Sequence, residues 1–411
     1  MDEVDPESVG LVSRALTQLD ATLLDMVTAG RRAGLVYAIA KEGQLIRHRA
    51  IGQRDIANSL PMEEDSLFRL YSMTRAVTAV AVLMLHEAGY FALDDPVARF
   101  IPAFADTPVL EQGSATTTEA LAAPLTIYQL LTYTSGLGYP HDYDPSLGVT
   151  FEQIIAPGLT IEDGMNYLAT RPLLFQPGAR WHYGLSGEVL GRLVEVVSGQ
   201  RFDIFLRDTI FRPLGLSHLA FQVPEADWHR LATVYAPDAQ RELADATDRA
   251  PVLGSYRQGD IAFSGGGGLV GTALDYLRFT QMLLAGGELD GARILKPDTI
   301  RLMTRNHLTS AQGPLVRYVQ DIHTSPEAAR RFDGYGWGLG VAVRLVDEPH
   351  TVPGGRGEFG WYGLANTFYF ADPENRIAAV ALAQYFGSDA ADIETALRDA
   401  LYAQPGGSTA D

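Results

Sequence analysis

Apolar residues recur at helical spacing over residues 7–29, where Leu16, Leu19, Leu23, Leu24 and Met26 predict a first helix. The period then shortens. "AGLVYAIAKEGQLIRHRAIGQRD" holds two short β-rich runs about a "KEGQ" turn and predicts a hairpin. Helical spacing returns over 70–89: Met73, Val77, Val80, Ala81, Met84 and Leu85 form a stripe that Val82 and Leu83 widen. A helix apolar nearly all round belongs at the centre of a core. Residues 107–124 carry few bulky groups and are expected to form a mobile surface loop. From 125 to about 250 helical patterns dominate between Pro/Gly turns, among them "LTIYQLLTYTSGL", "GEVLGRLVEVVSG" and "FDIFLRDTIFRPLG". "TALDYLRFTQMLLAGG" then reads as a helix with a Thr cap and a Gly stop. Strand patterns follow in "GWGLGVAVRLV" and in "NTFYFADPENRIAAVALAQ", which turns at "DPEN". "DIETALRDALYA" closes as a helix, and residues 405–411 are expected to be a disordered tail.

Strands at both ends with helices between them predict an α/β (α+β) fold: a central antiparallel sheet, flanked by helices and built from both termini. The expected domains are a sheet domain over 1–95 and 255–404 and an inserted, mostly helical domain over 96–254, with a substrate cleft between them.

Composition narrows the function classes. The 411 residues are 46% hydrophobic and 20% charged, ordinary for a globular chain with ample core. The 32 basic residues are outnumbered by 50 acidic ones, for a net charge of -18, which argues against nucleic acid or an anionic membrane as partner. Without cysteine there is no disulfide, thiolate nucleophile or cysteine metal site. The opening "MDEVDPESVG" has no basic or apolar signal region, and the longest apolar runs are too short to span a bilayer, so a cytoplasmic protein is expected.

The candidate chemistry starts at Ser72, at the mouth of the central helix. A serine there reads first as an N-cap, although the arginine at position 75 makes no capping box. It also reads as a nucleophile, because N–H groups and the dipole at a helix start stabilise an oxyanion. Two further segments are weak alone: Tyr183 in a turn before a helix, and "FGWYGLANTFYF", where Gly363 permits close approach of a ligand.

Together these segments resemble the serine beta-lactamase and penicillin-binding-protein superfamily, and most of all the class C beta-lactamase-like esterases (family VIII carboxylesterases). The resemblance runs over about residues 7–400 and includes "LTIYQLLTYTSGL", "PLLFQPGARWHYG", "FRPLGL" and "SGGGGLVGTALDYLRF". It implies that Ser72 is the acylated serine, that Arg75 occupies the family lysine's position, and that Tyr183 matches the tyrosine of Tyr-x-Asn. Trp361-Tyr362-Gly363 stands where penicillin-recognising members carry Lys-Thr-Gly. The N–H groups of Ser72 and Leu364 would form the oxyanion hole. Trp361, Tyr362, Gly363, Tyr139, Trp181 and Leu185 are the candidate substrate-binding residues, the aromatic ones as walls, with ordinary packing as the alternative.

Three departures bear on function. Leu185 replaces the asparagine and Trp361 the lysine, which removes groups that would hold a lactam's amide and carboxylate and favours a neutral ester. Arg75 cannot give up its proton, so it cannot be the acylation base, but its charge would favour the Tyr183 phenolate. Three explanations follow: a site crippled by losing its lysine, a working site with Tyr183 as sole base, or a non-catalytic relative. The expectation is a serine carboxylesterase for small-molecule esters with a compromised or unusual base, with no metal or organic cofactor. Its rivals are an acyltransferase, a D-peptidase or lactamase-like amidase, and a binding protein on a dead hydrolase fold. "GGGLVG" lacks the βαβ setting of a dinucleotide site and reads as a glycine-rich loop. "HDYD" at 141–144 reads as a solvated loop, and His182 as a packing group.

Overall fold

The computed structural model describes residues 2–249, 253–257, 260–310, 312, 315, 332–345, 352–387 and 391–404. The tail expected at 405–411 lies outside them. The first helix, α1 (Ser13–Thr28), starts later than the periodicity predicts: a 3-10 turn at Pro6–Val9 ends on Gly10 with φ 76°, and the chain restarts beyond it. The hairpin follows as β1 (Gly34–Lys41) and β2 (Gln44–Asp55), with the short β3 (Leu60–Pro61) beyond. After the helical stretch the sheet resumes with β4 (Tyr335–Trp337), β5 (Ala342–Arg344), β6 (Phe359–Gly363), β7 (Thr367–Asp372) and β8 (Ile377–Ala383). The eight strands run in the order β4-β5-β6-β7-β8-β1-β2-β3, all pairs antiparallel. Strands from both ends of the sequence therefore meet at β8 and β1, where Leu35 faces Ala383 and Lys41 faces Ile377.

Side chains alternate across the sheet. Leu35, Tyr37 and Ile39 of β1 share one layer with Leu16, Leu19 and Leu23 of α1 and with Ile393 and Leu397 of the closing helix (Ala391–Leu401). Val36 and Ala38 face the other layer, which holds Ala76, Val77 and Val80 of α2 (Thr74–Glu87) and Tyr276, Leu277 and Phe279 of the helix Ala273–Leu284. The all-round apolar surface of α2 is buried as expected. The 107–124 segment is not loose: it forms a two-stranded hairpin at Val109–Leu110 and Thr118–Glu119. Pro108 and Leu110 bond the main chain of Leu173. Among the described residues no helix is long and apolar enough to cross a membrane.

One buried ion pair fixes the strand that reaches the site. Glu358, the residue before β6, accepts two hydrogen bonds from Arg398 of the closing helix, each 2.8 Å, and one from Tyr335 Oη at 2.7 Å. Removing one partner of such a pair leaves a buried charge uncompensated. Arg398→Met is therefore expected to lower the urea-unfolding free energy by about 3–5 kcal/mol. The same change at exposed Arg99, paired with Asp95, should cost less than about 1 kcal/mol.

Candidate active site

Ser72 does not cap α2. It lies in the 3-10 turn Tyr71–Met73 that runs into the helix, and no side chain caps either element. The chain enters this turn through Tyr71 at φ 45°, a left-handed conformation that costs a non-glycine residue about 1–3 kcal/mol and is kept where the surroundings enforce it. Ser72 is half-buried between the buried Tyr71 and Met73, and among the described residues its hydroxyl has no hydrogen-bond partner. The N-cap expectation is thus corrected, because the serine sits within the turn and not at the helix boundary.

Arg75, one turn on, is 3% exposed. Its Nη1 donates to Tyr133 Oη at 2.5 Å and to the Gly184 carbonyl at 3.1 Å, and its Nη2 donates to Tyr139 Oη at 2.5 Å. Burial pushes the pKa of both phenols well above the usual tyrosine range, so each stays neutral and accepts. The guanidinium carbon stands 4.4 Å from the centre of the Tyr183 ring, a cation over a π face. Tyr133 was not singled out in the sequence. Its signals are its place in "LTYTSGL" and the φ of 57° that turns its ring toward Arg75, and only the second needs coordinates.

Tyr183 is held from the sheet side as well. The indole N–H of Trp361 donates to Tyr183 Oη at 2.8 Å. β5 pairs with β6 only at Val343–Phe359 and Ala342–Gly360, so among the described residues Trp361–Gly363 pairs on one side alone, with β7. A Cβ on Gly363 would lie 2.3 Å from the Leu70 carbonyl oxygen. Glycine is needed there because the turn that carries Ser72 packs against the strand. The contact brings the end of β6 against the segment that carries Ser72. Leu364 itself is 56% exposed.

The remaining candidates divide. Tyr139 is part of the Arg75 cluster. Tyr362 is half-buried beside Trp361 and Phe332. Trp181 and Leu185 are buried in the core, and Trp181 stacks on Tyr183. The "HDYD" loop is tied down. Asp142 accepts from the Tyr139 N–H at 2.6 Å and lies 3.0 Å from His182 Nε2. Burial opposes its charge, but His182 and the Tyr139 N–H hold its pKa below the usual carboxylate range. His182 is therefore a polar clamp on Tyr139 as well as an edge-on neighbour of Phe175. Glu188, also not singled out, is buried in α5 (Ser186–Ser198) and bonds the glycine loop. Its signal is a lone acid among the small residues Ser186, Gly187 and Gly191. Among the described residues no cluster of His, Asp and Glu could hold a metal ion.

A hydroxyl on a strained turn, a phenol between a cation and an indole N–H, and a strand end paired on one side alone suit acyl transfer through a covalent intermediate. Comparison with known proteins agrees with that chemistry. Esterase EstB of Burkholderia gladioli is 32% identical, with 98% of this chain and 99% of that protein covered. Protein Rv1367c of Mycobacterium tuberculosis (strain ATCC 25618 / H37Rv) is 33% identical, with 89% of each covered. The solved structure of EstCE1, described as a hydrolase with promiscuous acyltransferase activity, is 28% identical with a TM-score of 0.77, covering 94% of this chain and 98% of that one. These likenesses support a serine hydrolase or acyltransferase of this fold. The family model described as Beta-lactamase matches residues 14–404, from the first helix through the last, and the chain belongs to that family.

Proposed function

We propose that this chain is a serine hydrolase that cleaves neutral carboxylic esters of short or medium acyl groups through an acyl-Ser72 intermediate. The observation that carries the reading is the setting of Tyr183, whose ring lies on the Arg75 guanidinium while its oxygen accepts the Trp361 N–H. Tyr183, as the phenolate that the Arg75 charge favours, takes the Ser72 proton on Oη as Ser72 Oγ bonds the ester carbonyl carbon. The N–H groups of Ser72 and Leu364 receive the oxyanion. The carbonyl–alkoxy bond then breaks, and the Tyr183 proton passes to the leaving alcohol. Water repeats the sequence in reverse and frees the acid.

Arg75 is a working part of this site and not a defect. It cannot take a proton, yet its fork spans two phenols and a carbonyl that a lysine's single nitrogen cannot reach in the same geometry. Trp361 in place of a cation, and Leu185 in place of an asparagine, support an ester over a lactam carrying a carboxylate. A second reading, transfer of the acyl group to an alcohol, is supported by the aromatic enclosure of Tyr183, which limits access of water.

Intact-mass analysis after treatment with a serine-directed phosphonate should show one adduct on the chain and none on Ser72→Ala. Labelling that survives the alanine substitution sinks the assignment of the nucleophile. Tyr183→Phe is expected to slow p-nitrophenyl butyrate hydrolysis by about 10²–10⁴ with an unchanged fold. Arg75→Lys should lose activity, about tenfold or more for one misplaced bracket. A gain would instead identify a site crippled by its arginine.

A further inference from the structure

The glycine loop Ser264–Gly268 lies between α2 and α5, and the acyl-transfer steps give it no part. It is fastened to the start of α2. The Leu70 N–H donates to the Leu269 carbonyl at 2.9 Å, the Leu269 N–H to Thr74 Oγ1 at 3.1 Å, and Thr78 Oγ1 to the Gly265 carbonyl at 2.7 Å. Toward α5 it is fastened by one carboxylate. Glu188 Oε1 accepts from Ser264 Oγ at 2.8 Å and from the Gly266 N–H at 2.9 Å. The packing leaves no slack. A Cβ on Gly265 would fall 2.2 Å from the Gly187 carbonyl oxygen, and one on Gly266 would fall 2.3 Å from Glu188 Oε1 and 3.3 Å from Arg75 Nη2. Carboxylate and guanidinium thus approach the same glycine from two helices, and neither forms an ion pair among the described residues.

A buried carboxylate away from solvent is costly to keep unless it serves the structure or the chemistry. We propose that Glu188 is a positioning residue for acyl transfer: its negative charge balances Arg75 around Tyr183 while its hydrogen bonds press the glycine loop onto the Ser72 turn. This rests on the acyl-serine reading above. The groups that face this pair are Tyr133 and Tyr139 from the segment after the helix Ile127–Leu131, Tyr183 from the turn before α5, the Trp361 N–H from β6, and Ser264 Oγ with the Gly266 N–H from the loop. His182 and Asp142 pair with each other beyond Tyr139. Arg75 is the buried positive charge in this set and Glu188 the buried negative one. Burial raises the Glu188 pKa above the usual carboxylate range, against the pull of the Ser264 hydroxyl, the Arg75 charge and the Gly266 N–H. With the carboxylate neutralised, Arg75 alone acts on the negative charge that develops at Tyr183 Oη, and the serine proton leaves at lower pH.

The test follows the rate of phosphonate labelling at Ser72 across the acid limb of its pH profile, with thermal melts to report the fold. Glu188→Gln keeps an acceptor for Ser264 and Gly266 but removes the charge. Its midpoint is expected to move acidward by about one pH unit, so that labelling on the acid limb is about tenfold faster than in the unaltered chain. Ser264→Ala, which withdraws one bond from the ionised carboxylate, should move the midpoint the same way by less. An unmoved midpoint in a folded Glu188→Gln protein overturns the proposal, and an unmoved midpoint in Ser264→Ala does so if Glu188→Gln fails to fold. Failure of the unaltered chain to label at all overturns the acyl-serine reading itself, which separates the two.

Discussion

A guanidinium taken out of water must find partners for its charge and its donors, and Arg75 finds them at both terminal nitrogens, though not at Nε, without a carboxylate in contact. The penalty for burying such an ion is several kcal/mol. Two neutral phenols, one carbonyl and a π face offset it. Those partners come from two separate stretches, Tyr133–Tyr139 and Tyr183–Gly184. Satisfying one arginine on α2 therefore draws both stretches onto the helix that begins beside Ser72. The order of the site follows from that demand.

The sheet supplies the third side by a different constraint. Gly363 lets the end of β6 touch the Leu70 carbonyl, and Thr367 Oγ1 donates to the same oxygen at 3.3 Å. The turn that carries Ser72 is thus pinned by main-chain contact with the sheet, and its strained Tyr71 cannot relax without breaking that contact. The Glu358–Arg398 pair holds the other end of the strand. A hydroxyl placed by helix, sheet and glycine loop together is rigid enough to serve as a nucleophile on a scaffold, where a free loop would not be.

Much of this was legible in the order of residues. The hairpins of β1–β2 and β7–β8, the buried α2 and the Thr272-capped helix at Ala273–Leu284 follow from period and turn chemistry. Ser72, Tyr183 and Trp361 stood out through their motifs. That Trp181 and Leu185 are buried was not legible, because period and composition do not say which of several neighbours along a turn faces inward. Tyr133 and Glu188 escaped notice for a related reason. Each acts through tertiary contact, one from a left-handed backbone position beside Arg75, the other by a loop about eighty residues away in sequence, and local pattern carries only a faint signal of either.

The arginine at position 75 gains its meaning from the whole chain. There are 30 arginines and only 2 lysines, Lys41 and Lys296, so an arginine in a cationic position reflects the general usage of this sequence. Usage alone would leave a misfit, with the terminal donors unfilled and neighbours displaced. Instead both terminal nitrogens of the fork meet acceptors, and Gly187 and Gly266 leave its Nη1 and Nη2 the room they occupy, since a Cβ at either would stand within 3.1–3.3 Å of them. A lysine at such a place could combine two tasks, holding charge and passing a proton. Arginine can do only the first. On the reading proposed above, the tasks are divided: the charge stays on Arg75, the proton moves through Tyr183, and Glu188 sets the field between them. That division makes the chemistry depend on the spacing of three fixed groups, and the tight glycine packing around them is the physical form that dependence takes.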